Sequence, residues 1–246
     1  MISVVTITFN NHDELKKTLE SISAIQNIES VVINGGSSED SIALLKNHLG
    51  TVINEKDEGI ADAFNKGVRN STGQAVVYLN SGDVLLDHEY YLWADRALSE
   101  DPSIDFVYSD IVFNDPISGE FIMKPRGRGL SDLGRGMPFP HPSMVVRRKI
   151  FEQIGHFSKD FKIAMDFDFV VKLLAAGHRG VYYPHETVKM DGSGVSSARE
   201  YQGIMECKKS LVQHGEFTGK IRFDFEMRRL KYVIRSRLKT LKSKLK

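Results

Sequence analysis

Apolar runs and amphipathic stretches alternate along this chain. Ile2 to Phe9 is apolar, β-branched and uncharged, the pattern of a strand buried on both faces of a parallel sheet. Asn10-Asn11-His12-Asp13 breaks the run. Asp13 stands where it would cap a helix reaching Ile25, on which Leu15, Leu19, Ile22 and Ile25 share one face. Ser30 to Ile33 reads as a second short strand and ends in the turn-rich stretch Asn34 to Asp40. A helix from about Ser41 to His48 follows, then a third strand, Thr51 to Ile53. A polar loop from Asp57, a short helix, a turn at Thr72-Gly73 and a fourth strand, Ala75 to Leu79, complete the first part. Strands alternating with helices predict a right-handed, mostly parallel α/β arrangement.

The second part is less regular. Ile104 to Phe113 predicts a strand, with Gly119 to Met123 as its hairpin partner. Lys124 to Gly136 is rich in glycine and arginine, has no period and reads as a mobile loop. Pro138 to Pro142 is extended. A strand at Ser143 to Val146, helices at Lys149 to Ile154 and Asp166 to Ala176, and a short strand at Val181 to Tyr183 follow. There is no internal repeat and no clear second domain.

At 246 residues the chain fits one large α/β domain with a tail. We divide it into a domain over residues 1–220, with two halves (1–100 and 101–220), and a basic tail over 221–246. A net charge of +1 argues against wholesale nucleic-acid binding. The single cysteine, Cys207, excludes an internal disulfide or a cysteine-rich zinc site and reads as a packing residue. The N-terminus lacks the basic start and apolar core of a signal peptide, and no apolar run reaches the ~20 residues of a spanning helix. The catalytic body is therefore expected in the cytoplasm.

The charge is unevenly spread. Met227 to Lys246 has no acidic residue, and Leu230, Val233, Ile234, Leu238, Leu241 and Leu245 recur at roughly helical spacing among lysines and arginines. A basic amphipathic helix reads as a membrane-surface or partner-binding element; a solvated helix end is the plainer alternative. The first reading implies peripheral association with the inner face of the cytoplasmic membrane.

Two segments carry the chemistry: Asp57-Glu58-Gly59-Ile60-Ala61-Asp62-Ala63-Phe64-Asn65-Lys66-Gly67, and Leu79-Asn80-Ser81-Gly82-Asp83 at the end of the fourth strand. A carboxylate just past a buried parallel strand stands at the sheet edge where ligands bind in open α/β folds. Mg²⁺ or Mn²⁺ clamping a diphosphate needs such an oxygen ligand on a rigid support.

Together these segments resemble the nucleotide-sugar glycosyltransferases of inverting family 2, which have the GT-A fold, and most of all the bacterial branch that builds extracellular polysaccharides. The resemblance covers about residues 1–200 and implies that 1–100 is the nucleotide-binding half and 101–220 the acceptor-binding half. It implies a nucleoside-diphosphate sugar donor, Mn²⁺ or Mg²⁺ as cofactor, and a glycan or lipid-linked acceptor. By resemblance, Thr8, Phe9 and Asn10 line the base and ribose pocket. Asp57, Asp62, Asn65 and Lys66 hold the nucleotide side, Asn80 orients Asp83 or touches the ribose, and Asp83 binds the metal. Met165-Asp166-Phe167-Asp168 is similar to the family's E-D-x-D segment, which makes Asp166 the general base and leaves Asp168 structural. His141 matches an H-x-S position near the acceptor or diphosphate, and Arg126, Arg128 and Arg135 would grip a phosphate-bearing acceptor. The sequence departs from the family pattern at three places. Asn34 replaces the aspartate that accepts from the donor's base, Gly82 replaces the first acid of the metal motif, and Met165 replaces the first acid of the base segment. A uracil N–H can still be met by the Asn34 carbonyl, so a UDP-sugar is the expected donor. Two rivals remain: a degenerate nucleotide-sugar or glycan-binding protein, and a sugar-nucleotide pyrophosphorylase. The second lacks the glycine-rich phosphate loop it would need near residues 10–17.

Overall fold

The computed structural model describes residues 1–244 except Ser37 and Arg128, with side chains described as far as residue 238. In chain order the elements are β1 (Ile2–Thr8), α1 (His12–Ile22), β2 (Ile28–Asn34), α2 (Glu39–Leu45), β3 (Thr51–Asn54) and α3 (Ile60–Arg69). Then come β4 (Ala75–Tyr78), β5 (Val84–Leu85), α4 (Glu89–Glu100), β6 (Phe106–Asp115), β7 (Gly119–Met123) and β8 (Val145–Arg147). The last are α5 (Arg148–Ile154), α6 (Met165–Ala175), β9 (Gly180–Asp191), α7 (Val195–Ala198), α8 (Glu200–Gln213) and α9 (Gly219–Lys244).

All strands join one sheet in the order β3-β2-β1-β4-β8-β6-β9-β5, with β7 paired to β6. The block β3-β2-β1-β4 is parallel. Antiparallel β8 links it to a second parallel pair, β6 and β9. The sheet is thus mostly parallel by paired residues, as expected. Alternation along the strands sends side chains to two layers. Val5, Val31, Ile33 and Val76 pack on α3, α6 and α8, while Ile2, Val4, Ala75 and Val77 pack on α1 and α4.

Four features differ from the sequence reading. Val181–Tyr183 is only the start of β9, which runs on to Asp191. Pro184 and His185 break the apolar pattern there, and register shifts opposite Ser109 to Ile111 absorb the break, as bulges do. Lys124–Gly136 is not a free loop: its residues 130–135 form a 3₁₀ helix with Leu133 fully buried. Lys220 of α9 donates to the Ser131 carbonyl, and Arg135 pairs with Asp224. Three helices, α4, α7 and α8, lie outside the predicted elements. Finally, the division expected at residue 221 falls inside α9, whose first turns bury Ile221 and Phe225 in the main core.

Candidate active site

The carboxyl ends of β1, β2 and β4 lie side by side, since Thr8 is level with Asn34 and Val5 with Tyr78. At this edge opens a cavity of about 520 Å³. Thr8, Phe9, Asp57, Asn80, Asp83, His141 and Asp166 all line it. Residues separated by more than 150 positions thus meet at the edge where an open α/β sheet binds its ligands.

The turn carrying Asp83 is rigidly held. Ser81 N–H donates to the Ile7 carbonyl, tying the turn to β1. Buried Thr18 of α1 donates through Oγ1 to the Asp83 carbonyl (2.8 Å) and accepts from Gly82 N–H (3.0 Å). Gly82 has φ of +103°, a conformation that side chains rarely adopt, so no acid could stand there without strain. An added Cβ would also lie 3.3 Å from the Asp191 carboxylate. The second acid of this site therefore comes from Asp191, at the end of β9, and not from the motif itself. Asp83 accepts backbone N–H bonds from Asp191 (3.1 Å) and Asn80 (3.2 Å). Burial nonetheless pushes its carboxyl up to about 7, and the Asp191 charge adds to that push. Two buried acceptors in the cavity wall, Asn80 Oδ1 and Thr8 Oγ1, have no hydrogen-bond partner.

Asp166 stands in the first turn of α6 and is half-buried. Its Oδ1 accepts from Phe167 N–H (2.7 Å). The His141 ring stacks on Tyr78 (centroids 5.5 Å apart) and lies against Phe64. Burial lowers its pKa and the Asp166 charge opposes that, so the imidazole is neutral near pH 7. Phe9 is 70% exposed at the cavity mouth, an aromatic face open to stacking.

Other expected residues build the walls. Lys66 is buried among Asp57 (2.8 Å), Glu55 (3.0 Å) and Asp62 (3.5 Å). Burial pulls its pKa down, but the hydrogen bonds to Asp57 and Glu55 win and hold it above the ordinary value. Asp62 is held at about 2, first by the hydrogen bond from Lys159 (2.7 Å). The Asn65 amide exchanges two hydrogen bonds with the Phe157 backbone. The Asn34 amide bonds Asn54 and Gly36 N–H. Asn10 Oδ1 accepts from Ser38 N–H. Gly35 lets Asp57 approach β2, since a Cβ there would stand 2.0 Å from the Asp57 carboxylate. Asp62, Asn65, Lys66, Asn34 and Asn10 thus shape the pocket without lining it. Arg135 is engaged by Asp224, and Arg128 lies outside the described residues. The sequence does not pick out Thr18, and it assigns no carboxylate role to Asp191 to Ser197, a match to the family's G-G-x-S turn in the chain that folds back towards the active site. Asp191 opens the DGSG turn at the end of β9, and the strand's polar second half concealed where that turn sits.

A metal ion fits this donor set in a limited way. Among the described residues no three His, Cys, Asp or Glu side chains stand close enough together to hold a metal ion by themselves. Asp83 and Asp191 could supply two carboxylates, leaving the remaining positions to diphosphate and water, as hard cations at phosphate sites commonly have it. A buried carboxylate raised to about 7 is one that a cation would relieve.

This sheet order is that of the GT-A fold. The chain belongs to glycosyl transferase family 2, whose model matches residues 3–155. It is 29% identical over 213 residues to an uncharacterized glycosyltransferase of Mycobacterium tuberculosis, covering 82% of this chain and 79% of the relative. Among solved structures it is similar to TarS of S. aureus, with TM-score 0.68, 16% identity, and coverage of 94% of this chain and 72% of that one. The mannosyltransferase PcManGT of Pyrobaculum calidifontis, solved with GDP-Man and Mn²⁺, aligns with TM-score 0.65 and 17% identity over 93% of this chain and 73% of its own.

Proposed function

We propose that this glycosyltransferase moves a sugar, with inversion and metal dependence, from a UDP-sugar to a hydroxyl of a growing, lipid-linked cell-surface glycan. The convergence of Asp83, Asp191 and Asp166 on one cavity carries this reading. Phe9 stacks the base at the mouth, and Thr8 Oγ1 and Asn80 Oδ1 take hydrogen bonds from the ribose. Asp83 and Asp191 would hold Mn²⁺ or Mg²⁺, and such an ion would supply the positive charge that a departing diphosphate needs, so that no protein acid is required. Asp166 accepts the proton of the attacking hydroxyl, and neutral His141 lines the same cavity to orient acceptor or diphosphate. The metal-bound mannosyltransferase of the same fold supports the cofactor.

Membrane association through Met227 to Lys246 belongs to the same reading. Phe223, Met227, Leu230, Ile234 and Leu238 form an exposed apolar stripe at helical spacing along α9, flanked by arginines and lysines. No helix among the described residues is long and apolar enough to cross a membrane. Anionic lipid would attract such a helix by roughly 1 kcal/mol per basic residue near the surface.

The test is titration with UDP and GDP, each with and without Mn²⁺, read by thermal shift, since a ligand of the native state raises its melting temperature. UDP should stabilise the protein only with Mn²⁺ and more than GDP does. Metal-independent binding, or preference for GDP, would remove the corresponding part of the proposal. For the tail, salt-sensitive sedimentation with anionic liposomes is expected; indifference to them at low salt leaves α9 as a solvated helix.

A further inference from the structure

The helix that carries Asp166 does not cap itself. Ala164, at the start of α6, has no side-chain acceptor, and Asp166 Oδ1 is taken by the neighbouring Phe167 N–H. A helix start leaves N–H groups in need of acceptors, and a carboxylate there also meets the positive end of the helix dipole. The acceptor comes from α8. One oxygen of Glu206, Oε2, accepts from the N–H groups of three consecutive residues: Lys162 (3.0 Å), Ile163 (2.8 Å) and Ala164 (3.0 Å). Its other oxygen accepts from the Gln202 amide (2.8 Å). Burial pushes the Glu206 pKa up, but the N–H bonds of Ala164 and Ile163 outweigh it and hold the carboxyl below its ordinary value.

The grip continues past Asp166. Buried Asp168 accepts through Oδ1 from Ser210 Oγ (2.8 Å) and meets His214 Nε2 (2.9 Å). Gly203, Glu206, Ser210 and His214 recur at helical spacing and form one face of α8. Gly203 permits the close approach, since a Cβ there would stand 3.1 Å from the Ile163 side chain. Thus α8 holds the chain just before Asp166 and just after it. Ile163, Met165 and Asp166 line the cavity, so the part that α8 fixes is the cavity wall itself. Arg126 and Arg135, expected from sequence at the acceptor, do not line it. Met165 leaves the base segment one acid short, and Glu206 brings a carboxylate to the turn just before it.

We propose that Glu206 is a positioning residue of sugar transfer: acting from α8, it fixes the turn at residues 162–164 so that Asp166 faces the acceptor hydroxyl. This rests on the transferase reading and deepens it. A base must be held to a fraction of an ångström, and three charge-assisted bonds to one carboxylate oxygen give its turn that rigidity.

The experiment follows Mn²⁺-dependent UDP release by the full chain from UDP-glucose, UDP-galactose and UDP-N-acetylglucosamine, well below the melting temperature. Glu206→Ala should lower kcat by roughly 10–100-fold, the cost of a misplaced catalytic group, with donor KM unchanged. Glu206→Gln keeps an acceptor oxygen without the charge, so its kcat should fall between, and it keeps the test decisive if the alanine variant folds poorly. A merely structural role would lower the melting temperature without this split. A parental kcat in either folded variant, or a loss that falls on donor KM, overturns the proposal. Hydrogen exchange over residues 160–168 of the same samples is independent of the donor. It should quicken in both variants while β1 and β4 exchange as in the parent; unchanged protection at 162–164 also overturns the proposal. A parent that releases no UDP from any of these donors would strike the transferase reading, and the exchange result would then decide by itself whether Glu206 holds the Asp166 turn.

Discussion

Asp62, in the first turn of α3, and Asp83, past the end of β4, are buried to the same degree, 6% and 4% exposed. Their surroundings push them in opposite directions. Asp62 meets Lys159 and Lys66 and sits near 2. Asp83 meets only backbone N–H groups and another acid, and sits near 7. The α3 cluster is closed, each charge having found its partner within the chain. The β4 turn is open, a charge kept dry with no protein cation to meet it. Burying an unpaired charge is costly, so a fold that retains one at a cavity wall leaves it for a ligand to complete. Both aspartates lie in motifs of the same family, yet only one is electrostatically free to act on a substrate.

Removing the open charge is the harshest way to probe this contrast. Asp83→Ala should abolish Mn²⁺-dependent UDP binding in a folded protein; retained metal-dependent affinity would place the cation elsewhere. Next comes the third carboxylate of the cavity. Asp166→Asn should keep UDP binding and slow transfer by about 10²–10⁴-fold, the usual loss for a positioned base. A rate near the parent's would hand that role to another residue.

The two aspartates should also leave opposite traces in stability against pH. The Asp83 pKa is raised in the fold from 3.8 to about 7. Its contribution in metal-free protein is therefore fully present below about pH 4 and lost as pH rises through about 7. With chelator present at about pH 8, Asp83→Asn should be more stable than the parent, by on the order of a few kcal/mol. The Asp62 pKa is lowered from 3.8 to about 2. Its contribution is present above about pH 4 and lost as pH falls through about 2. Asp62→Asn should be less stable at neutral pH by on the order of 1–2 kcal/mol, part of the interaction being screened at half-exposed Lys159. Urea midpoints across pH read both, and curves of the same slope would erase the distinction. The smallest effect is expected from Lys159→Ala, a loss below that of Asp62→Asn, because solvent screens a half-exposed partner. A larger loss would mean that Lys159, and not Lys66, is the anchor of the closed cluster.

The first four strands were legible because β1, β4 and the end of β2 bury side chains on both faces, and the half-buried edge strand β3 keeps the same β-branched apolar run. β-branched apolar runs broken by turn residues have few other readings, and β1 to β4 lie within two residues of where the pattern places them. The turn at Asp83 and the start of α6 were equally plain, since local motifs at strand and helix ends record local geometry. The second half of the sheet was harder. β9 carries Pro184 and His185 and bends through a register shift, so its alternation breaks exactly where pairing with β6 sustains it; α4 and α8 are held by packing more than by clear punctuation. Sequence alone could put Asp57, Asp62, Lys66 and Asp83 in functional motifs, because residue type and spacing are local properties. It could not tell which of those charges the fold neutralises, nor that Asp191 lies beside Asp83 and Gly82. Those facts depend on groups brought together from distant parts of the chain, and electrostatic pairing is a property of distance in space.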